Sequence, residues 1–103
     1  MYGNPQRLAN HGLANQDVLE RRREGGRWLR ELREKAGLSQ RELASLVKMD
    51  YYTFVSQLEN GRGRVPPDCY HAWAEALGVA PRYFVKNILK YYDPVTFEIL
   101  FQE

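Results

Sequence analysis

Apolar side chains recur along this chain with the 3.6-residue period of a helix, in stretches that are mostly closed by Gly or Pro. Trp28, Leu29, Leu32 and Ala36 form the first such stripe, and Gly37 fits the left-handed residue that stops a helix. Ser39-Gln40-Arg41-Glu42 is a capping box, so a second helix starts at Gln40, turns Leu43, Ala44 and Val47 inward and ends near Lys48-Met49. Asp50 is placed to cap a third helix, Tyr51 to Asn60, with Val55 and Leu58 inward, Phe54 alongside them, and Gly61 as its stop. Pro67 or Asp68 opens a fourth helix carrying Tyr70, Trp73, Ala74 and Leu77 and ending at Gly78. Pro81 opens a fifth with Phe84, Ile88, Leu89 and Tyr92 on one side, and Asp93-Pro94 ends it and caps a short sixth helix through Leu100. No alternating strand pattern occurs. The expected class is all-α, a compact five- or six-helix domain with short connections.

The first 16 residues do not share this texture. They mix Gly, Asn, Pro, Gln and His with scattered apolar side chains, and 1–16 is expected to be a mobile arm because it cannot repay the entropy of ordering. Asp17 can cap a helix through Val18, Leu19 and the charged block Glu20 to Glu24, but Gly25-Gly26 weakens it by about 1 kcal/mol per glycine relative to alanine. The organisation expected is therefore an arm at 1–16, a folded domain over 17–90 and an aromatic extension over 91–103.

Composition narrows the class further. A chain of 103 residues holds one domain, and 44% apolar residues can supply its core. Fifteen Lys plus Arg against 13 Asp plus Glu leave a formal charge of +2, which names no partner by itself. The single cysteine, Cys69, cannot close an intramolecular disulfide, and no Cys/His cluster has zinc-ligand spacing. Met1 to Ala14 carries no charged leader with an apolar stretch, and nowhere do 18 apolar residues run together, so a soluble, cytoplasmic protein is expected. An enzyme is disfavoured: Cys69 and His71 lie two apart on one helix and face apart, and there is no nucleophile elbow, carboxylate pair or glycine-rich phosphate loop. No catalytic residue, metal or cofactor is expected.

Three separated blocks carry a resemblance. Leu38-Ser39-Gln40-Arg41-Glu42-Leu43-Ala44, then Val55-Ser56-Gln57-Leu58-Glu59-Asn60-Gly61, then Ala74-Glu75-Ala76-Leu77-Gly78-Val79 resemble the lambda-repressor-like helix-turn-helix domains of phage repressors, Cro proteins and xenobiotic-response-element regulators. The likeness covers about Arg27 to Lys90. It implies a bacterial or phage-encoded DNA-binding protein whose second helix crosses the DNA backbone and whose third lies in the major groove. One departure stands out: between Ala44 and Val55 the chain has one residue more than the family pattern, and the customary glycine of the turn is missing from Val47-Lys48-Met49-Asp50.

Counted back from Gln57-Leu58-Glu59, the resemblance assigns base contacts to Tyr52, Thr53, Ser56 and Gln57. Gln57 suits adenine N6 and N7, and Thr53 suits a thymine methyl or a groove-edge hydrogen bond. Phosphate contacts fall to Gln40 at the start of the second helix, to Arg41, Lys48, Tyr51 and Asn60, and to Arg62 and Arg64 around Gly63. Arg33 and Glu59 match an inward ion pair of the family, structural rather than reading. Arg21-Arg22-Arg23, Arg27 and Arg30 are interleaved with Glu20, Glu24, Glu31 and Glu34, so contact with DNA backbone or an acidic partner and a salt-bridged solvent face both fit.

The tail is rich in aromatics beyond what so small a domain is expected to bury. Tyr83, Phe84, Ile88, Tyr91, Tyr92, Phe97, Leu100 and Phe101 are therefore assigned to a homodimer interface, with folding back over the chain's own domain as the other reading. The function expected is a sequence-specific DNA-binding transcriptional regulator, a homodimer on an inverted repeat. Two alternatives remain: an antitoxin-type autorepressor that binds a toxin through its C-terminal segment, and a protein-binding adaptor on the same fold.

Overall fold

Among the described residues, local caps and helical stripes become six helices joined by short turns. The computed structural model describes residues 11–49 and 51–102, with side chains from Gln16 onward. The helices are α1 (His11–Lys35), α2 (Gln40–Leu46), α3 (Thr53–Glu59), α4 (Tyr70–Leu77), α5 (Pro81–Tyr92) and α6 (Pro94–Phe101), with a 3₁₀ turn at Pro67–Cys69 feeding α4. No strand occurs among the described residues.

The capping box opens α2 with both of its bonds: the Glu42 amide donates to Ser39 Oγ at 3.0 Å, and the Ser39 amide donates to Glu42 Oε1 at 2.9 Å. These bonds hold the Glu42 carboxyl below its ordinary range. Asp93 caps α6 in the same manner, taking the Thr96 amide at 3.2 Å and the Thr96 hydroxyl at 2.6 Å.

Four helices end in one hydrogen-bond pattern. At Gly37, Gly61 and Gly78 the glycine amide donates three residues back, and the next amide donates five residues back, for example Gly78 to Glu75 and Val79 to Ala74. This is the Schellman motif, which needs positive φ at its first residue beyond the cap. α2 closes identically, with Lys48 N–H donating to Ser45 O at 3.2 Å and Met49 N–H to Ala44 O at 2.9 Å, but the positive-φ residue is Lys48, at φ 58°. The turn that lacks its glycine is thus built with a lysine in the left-handed region.

Several boundaries differ from the sequence expectation. Residues 11–16, expected in the arm, are the first turns of α1, because Leu13, Ala14 and Gln16 are good helix formers and adding a residue to an existing helix gains a hydrogen bond without a new nucleus. Residues 1–10 of that arm lie outside the described residues. Asp17 consequently sits within α1 and caps nothing. Asp50 lies outside the described residues, and the N-cap of α3 is Tyr52, which makes no side-chain cap bond. The third helix is shorter than Tyr51–Asn60, since Phe54 and Val55 bond back only three residues, to the Tyr51 and Tyr52 carbonyls.

Gly25-Gly26 does not break α1. A Cβ on Gly26 would lie 2.3 Å from the carbonyl oxygen of Glu59, and one on Gly25 would lie 2.9 Å from Tyr91 Cβ. The pair costs helix propensity but lets α1 approach the end of α3 and the side of α5 more closely than any side chain allows.

The core is one cluster in which Leu29 of α1, Leu43 of α2, Val55 of α3, Trp73 of α4 and Phe84 with Ile88 of α5 are fully buried. Two residues expected at a dimer interface are thereby corrected: Phe84 and Ile88 are 0% and 1% exposed inside the single chain and present no surface to a second copy. Tyr91 and Tyr92, also assigned to that interface, are half-buried against α1. Trp28 gathers three rings of α5, with centroids 5.6 Å from Phe84, 5.9 Å from Tyr91 and 6.4 Å from Tyr83. Tyr92 receives the Val65 amide on its hydroxyl at 3.3 Å, and the guanidinia of Arg22 and Arg64 lie 5.2 and 5.3 Å from its ring centroid. Burial pushes both phenols above their ordinary range. Past Asp93, α6 packs on α5, pairs Phe97 with Phe101 at 5.6 Å and leaves Val95, Ile99 and Leu100 exposed.

Candidate nucleic-acid interface

α2 and α3 are fixed to each other and to α1 at one carboxylate. Glu59, buried at the end of α3, accepts Arg33 Nε at 2.6 Å and Arg33 Nη2 at 3.0 Å from α1, and Gln40 Nε2 at 3.1 Å from α2. Arg33 also donates to the Leu38 carbonyl at 2.8 Å. The Glu59 hydrogen bonds raise the basicity of the Arg33 guanidinium although burial opposes its charge. A bidentate pair with a third donor on a backbone carbonyl orients three helices, while desolvation offsets much of its attraction.

With Val55, Leu58 and Glu59 turned inward, α3 presents Thr53, Gln57 and Asn60 to solvent and leaves Ser56 half-buried. The acidic residue of this helix is therefore neutralised inside, and its outer face is polar and uncharged. Tyr51 and Tyr52 precede the helix, both exposed, and the Arg41 guanidinium lies 4.4 Å from the Tyr52 ring centroid. That contact ties the first turn of α2 to the start of α3.

Two clefts flank the outer face. The larger, about 600 Å³, runs between α1, the start of α2 and α3, and its cationic lining comes from Arg27 and Arg30 with Arg41. Arg27 stands 4.0 Å from Glu20 and Arg30 3.7 Å from Glu34, exposed pairs of small energetic weight. These two α1 arginines are thus salt-bridged, as the second reading has it, and also line the cleft. The smaller, about 450 Å³, lies on the other side of α3 and includes Lys48, Arg62 and Arg64 beside Gln57. Cations on both sides of a polar helix face match what a major groove offers, base edges between two phosphate strands.

Gln40 and Phe54 are placed differently from their sequence reading. Gln40 is half-buried with its amide nitrogen engaged by Glu59, so it offers an anion its second N–H and not a freely extended side chain. Phe54, expected alongside the buried face, is 48% exposed. Val55, Leu58 and Glu59 at i, i+3 and i+4 define the inward stripe, and Phe54 falls beside Gln57 on the flank of that stripe. That spacing was the available signal.

A family model for a helix-turn-helix domain matches residues 26–82, more than half of the chain and the whole of α2, α3 and α4. The chain belongs to the helix-turn-helix family. No curated protein matches it. The matched segment of this helix-turn-helix protein begins at Gly26, where α1 meets α3, and includes both clefts. Its fold class is the all-helical one expected of such a DNA-binding domain. Among the described residues, no group of His, Cys, Asp or Glu could hold a metal, and no helix is long and apolar enough to cross a membrane. Cys69 is half-buried, and burial and the neighbouring Asp68 raise its thiol above its ordinary value, away from the reactive thiolate.

Proposed function

We propose that this protein is a transcriptional regulator that recognises a specific duplex, with α3 in the major groove and α2 across the backbone. The observation that carries the reading is the placement of Thr53 and Gln57 on an outer face between two cation-lined clefts. Gln57 reads adenine and Thr53 a thymine methyl, with Tyr52 and Ser56 as neighbouring base contacts, while Arg62, Arg64, Lys48, Arg41, Tyr51 and Asn60 position the helix on phosphates. The protein acts as a homodimer on an inverted repeat. Exposed Val95, Ile99 and Leu100 on α6 support a tail-mediated interface, to which this reading adds exposed Tyr83 and half-buried Phe97 and Phe101.

Selection of bound duplexes from a random library tests this reading. An enriched inverted repeat with half-sites near one helical turn apart is the expected result, with Gln57→Ala relaxing preference at one base pair of each half-site. Arg62→Ala should weaken all duplexes alike and flatten the salt dependence. Absence of any enriched motif, with only salt-sensitive binding, refutes sequence-specific recognition and favours a protein partner for the same face.

A further inference from the structure

The smaller cleft has a feature that phosphate contact does not require. Part of its lining is apolar, contributed by Met49 from the α2–α3 turn, Phe54 and Leu58 from α3, and Pro66. Leu58 is buried, but Phe54 is 48% exposed on a helix whose outer face is otherwise polar, where phenylalanine is more often buried. Met49 brings a polarizable thioether, which adapts to the edge of an aromatic ring. Lys48, Arg62 and Arg64 line the same cleft, and none of the three has a carboxylate within ion-pair distance among the described residues. Arg64 is held in place by the Tyr92 ring at 5.3 Å, and the Gly63 carbonyl beside it is fixed by Arg22 Nη1 at 3.2 Å. The cleft thus combines an aromatic and apolar lining with three cationic residues, in a volume of about 450 Å³, within the range of small-molecule sites.

We infer that this cleft binds a small aromatic carboxylate, its ring against Phe54 and Met49 and its carboxylate toward Arg62, Lys48 and Arg64. An apolar ring alone satisfies the apolar lining and leaves the cations unmatched. A free phosphate matches the cations and leaves the apolar lining uncovered. An aromatic acid complements both. The site goes beyond the DNA reading and is testable without DNA. Gln57 and Arg62 line it as well as serving the proposed duplex face, so ligand and duplex compete for the same residues.

The test is a titration of the full chain with naphthalene-2-carboxylate, followed by amide NMR, with naphthalene-2-carboxamide as the uncharged control. Saturable shifts confined to residues 48–66 are expected, with the carboxamide about two- to fivefold weaker, the scale of a surface charge contact. Phe54→Ala and Arg62→Gln, both on exposed side chains, should each weaken binding by a similar factor while signals from the core stay in place. The inference is overturned by no saturable shift into the millimolar range, by shifts elsewhere on the chain, by equal binding of acid and carboxamide, or by unchanged affinity in Phe54→Ala. Duplex DNA should displace the acid; an acid that binds as described and is not displaced retains the site but overturns the placement of Gln57 in the groove.

Discussion

Replacing Lys48 by glycine isolates the energetic consequence of the turn. Lys48 occupies the first position past the cap of a Schellman motif with φ 58°, where Gly37, Gly61 and Gly78 serve the same motif at φ 73°, 82° and 71°. A residue with a Cβ costs about 1–2 kcal/mol in this region, because Cβ crowds the following carbonyl. Glycine removes that cost but gives the unfolded chain more freedom, about 0.4–1 kcal/mol. The difference predicts that Lys48→Gly stabilises the fold by about 0.5–1 kcal/mol, a rise in Tm of roughly 2–8 °C for a domain of this size. Thermal and urea unfolding measure it. Lys48→Ala is the control, since it removes the amine and keeps the Cβ, and should give no gain. Gly78→Ala is the reciprocal: its added Cβ meets nothing within 4 Å, so the loss of about 1 kcal/mol expected there comes from φ alone. If Lys48→Gly is no more stable than Lys48→Ala, backbone strain in the turn is refuted. Loss of the amine should weaken duplex binding by Lys48→Gly even as its Tm rises.

Gly26→Ala should destabilise by about 2 kcal/mol or more in urea unfolding, because the new Cβ, 2.3 Å from the Glu59 carbonyl, forces α3 outward and outweighs the gain in helix propensity. Glu59→Gln leaves the Arg33 guanidinium buried without its counter-charge and should cost about 3–5 kcal/mol, while Arg33→Met with Glu59→Leu should cost less than the single change; circular dichroism melts decide between them. In acid, the lowered carboxyls of Glu42 and Asp93 set the sign: their hydrogen bonds contribute fully above the ordinary values of 4.5 and 3.8 and are lost as the pH falls through the depressed folded values. Urea midpoints should therefore fall as the pH drops from 5 to 3, and Glu42→Gln, which keeps the capping geometry, should show a shallower fall.

Elements specified by neighbours in sequence were legible. The capping box of α2, the proline starts of α5 and α6, and the glycine stops all rest on bonds spanning no more than five residues, and Trp73, Leu43 and Val55 follow from helical period alone. What escaped depends on residues distant along the chain. Gly25-Gly26 reads as a weak point until the Glu59 carbonyl is seen against it. Phe84, Ile88, Tyr91 and Tyr92 read as surplus apolar surface because nothing local indicates that Trp28 gathers the rings of Phe84 and Tyr91. The missing glycine of the turn was visible, but which residue takes the positive φ was not. At the candidate interface, the outward placement of Gln57 and Thr53 followed from the family blocks. The inward turn of Gln40 followed only from where Glu59 arrives.

Tyr92 ends α5, and the residue after it caps α6. Its hydroxyl holds the Val65 amide, and its ring lies between an arginine of α1 and one from the segment that follows α3. The exposed side of α6 is consequently registered to the far end of α3 through one aromatic ring rather than through a long connector. Anything that docks on Val95, Ile99 and Leu100 inherits a set distance and angle to Thr53 and Gln57. If two copies meet there, half-site spacing on DNA becomes a length measured by the protein, and Tyr92 is the pin of the calliper.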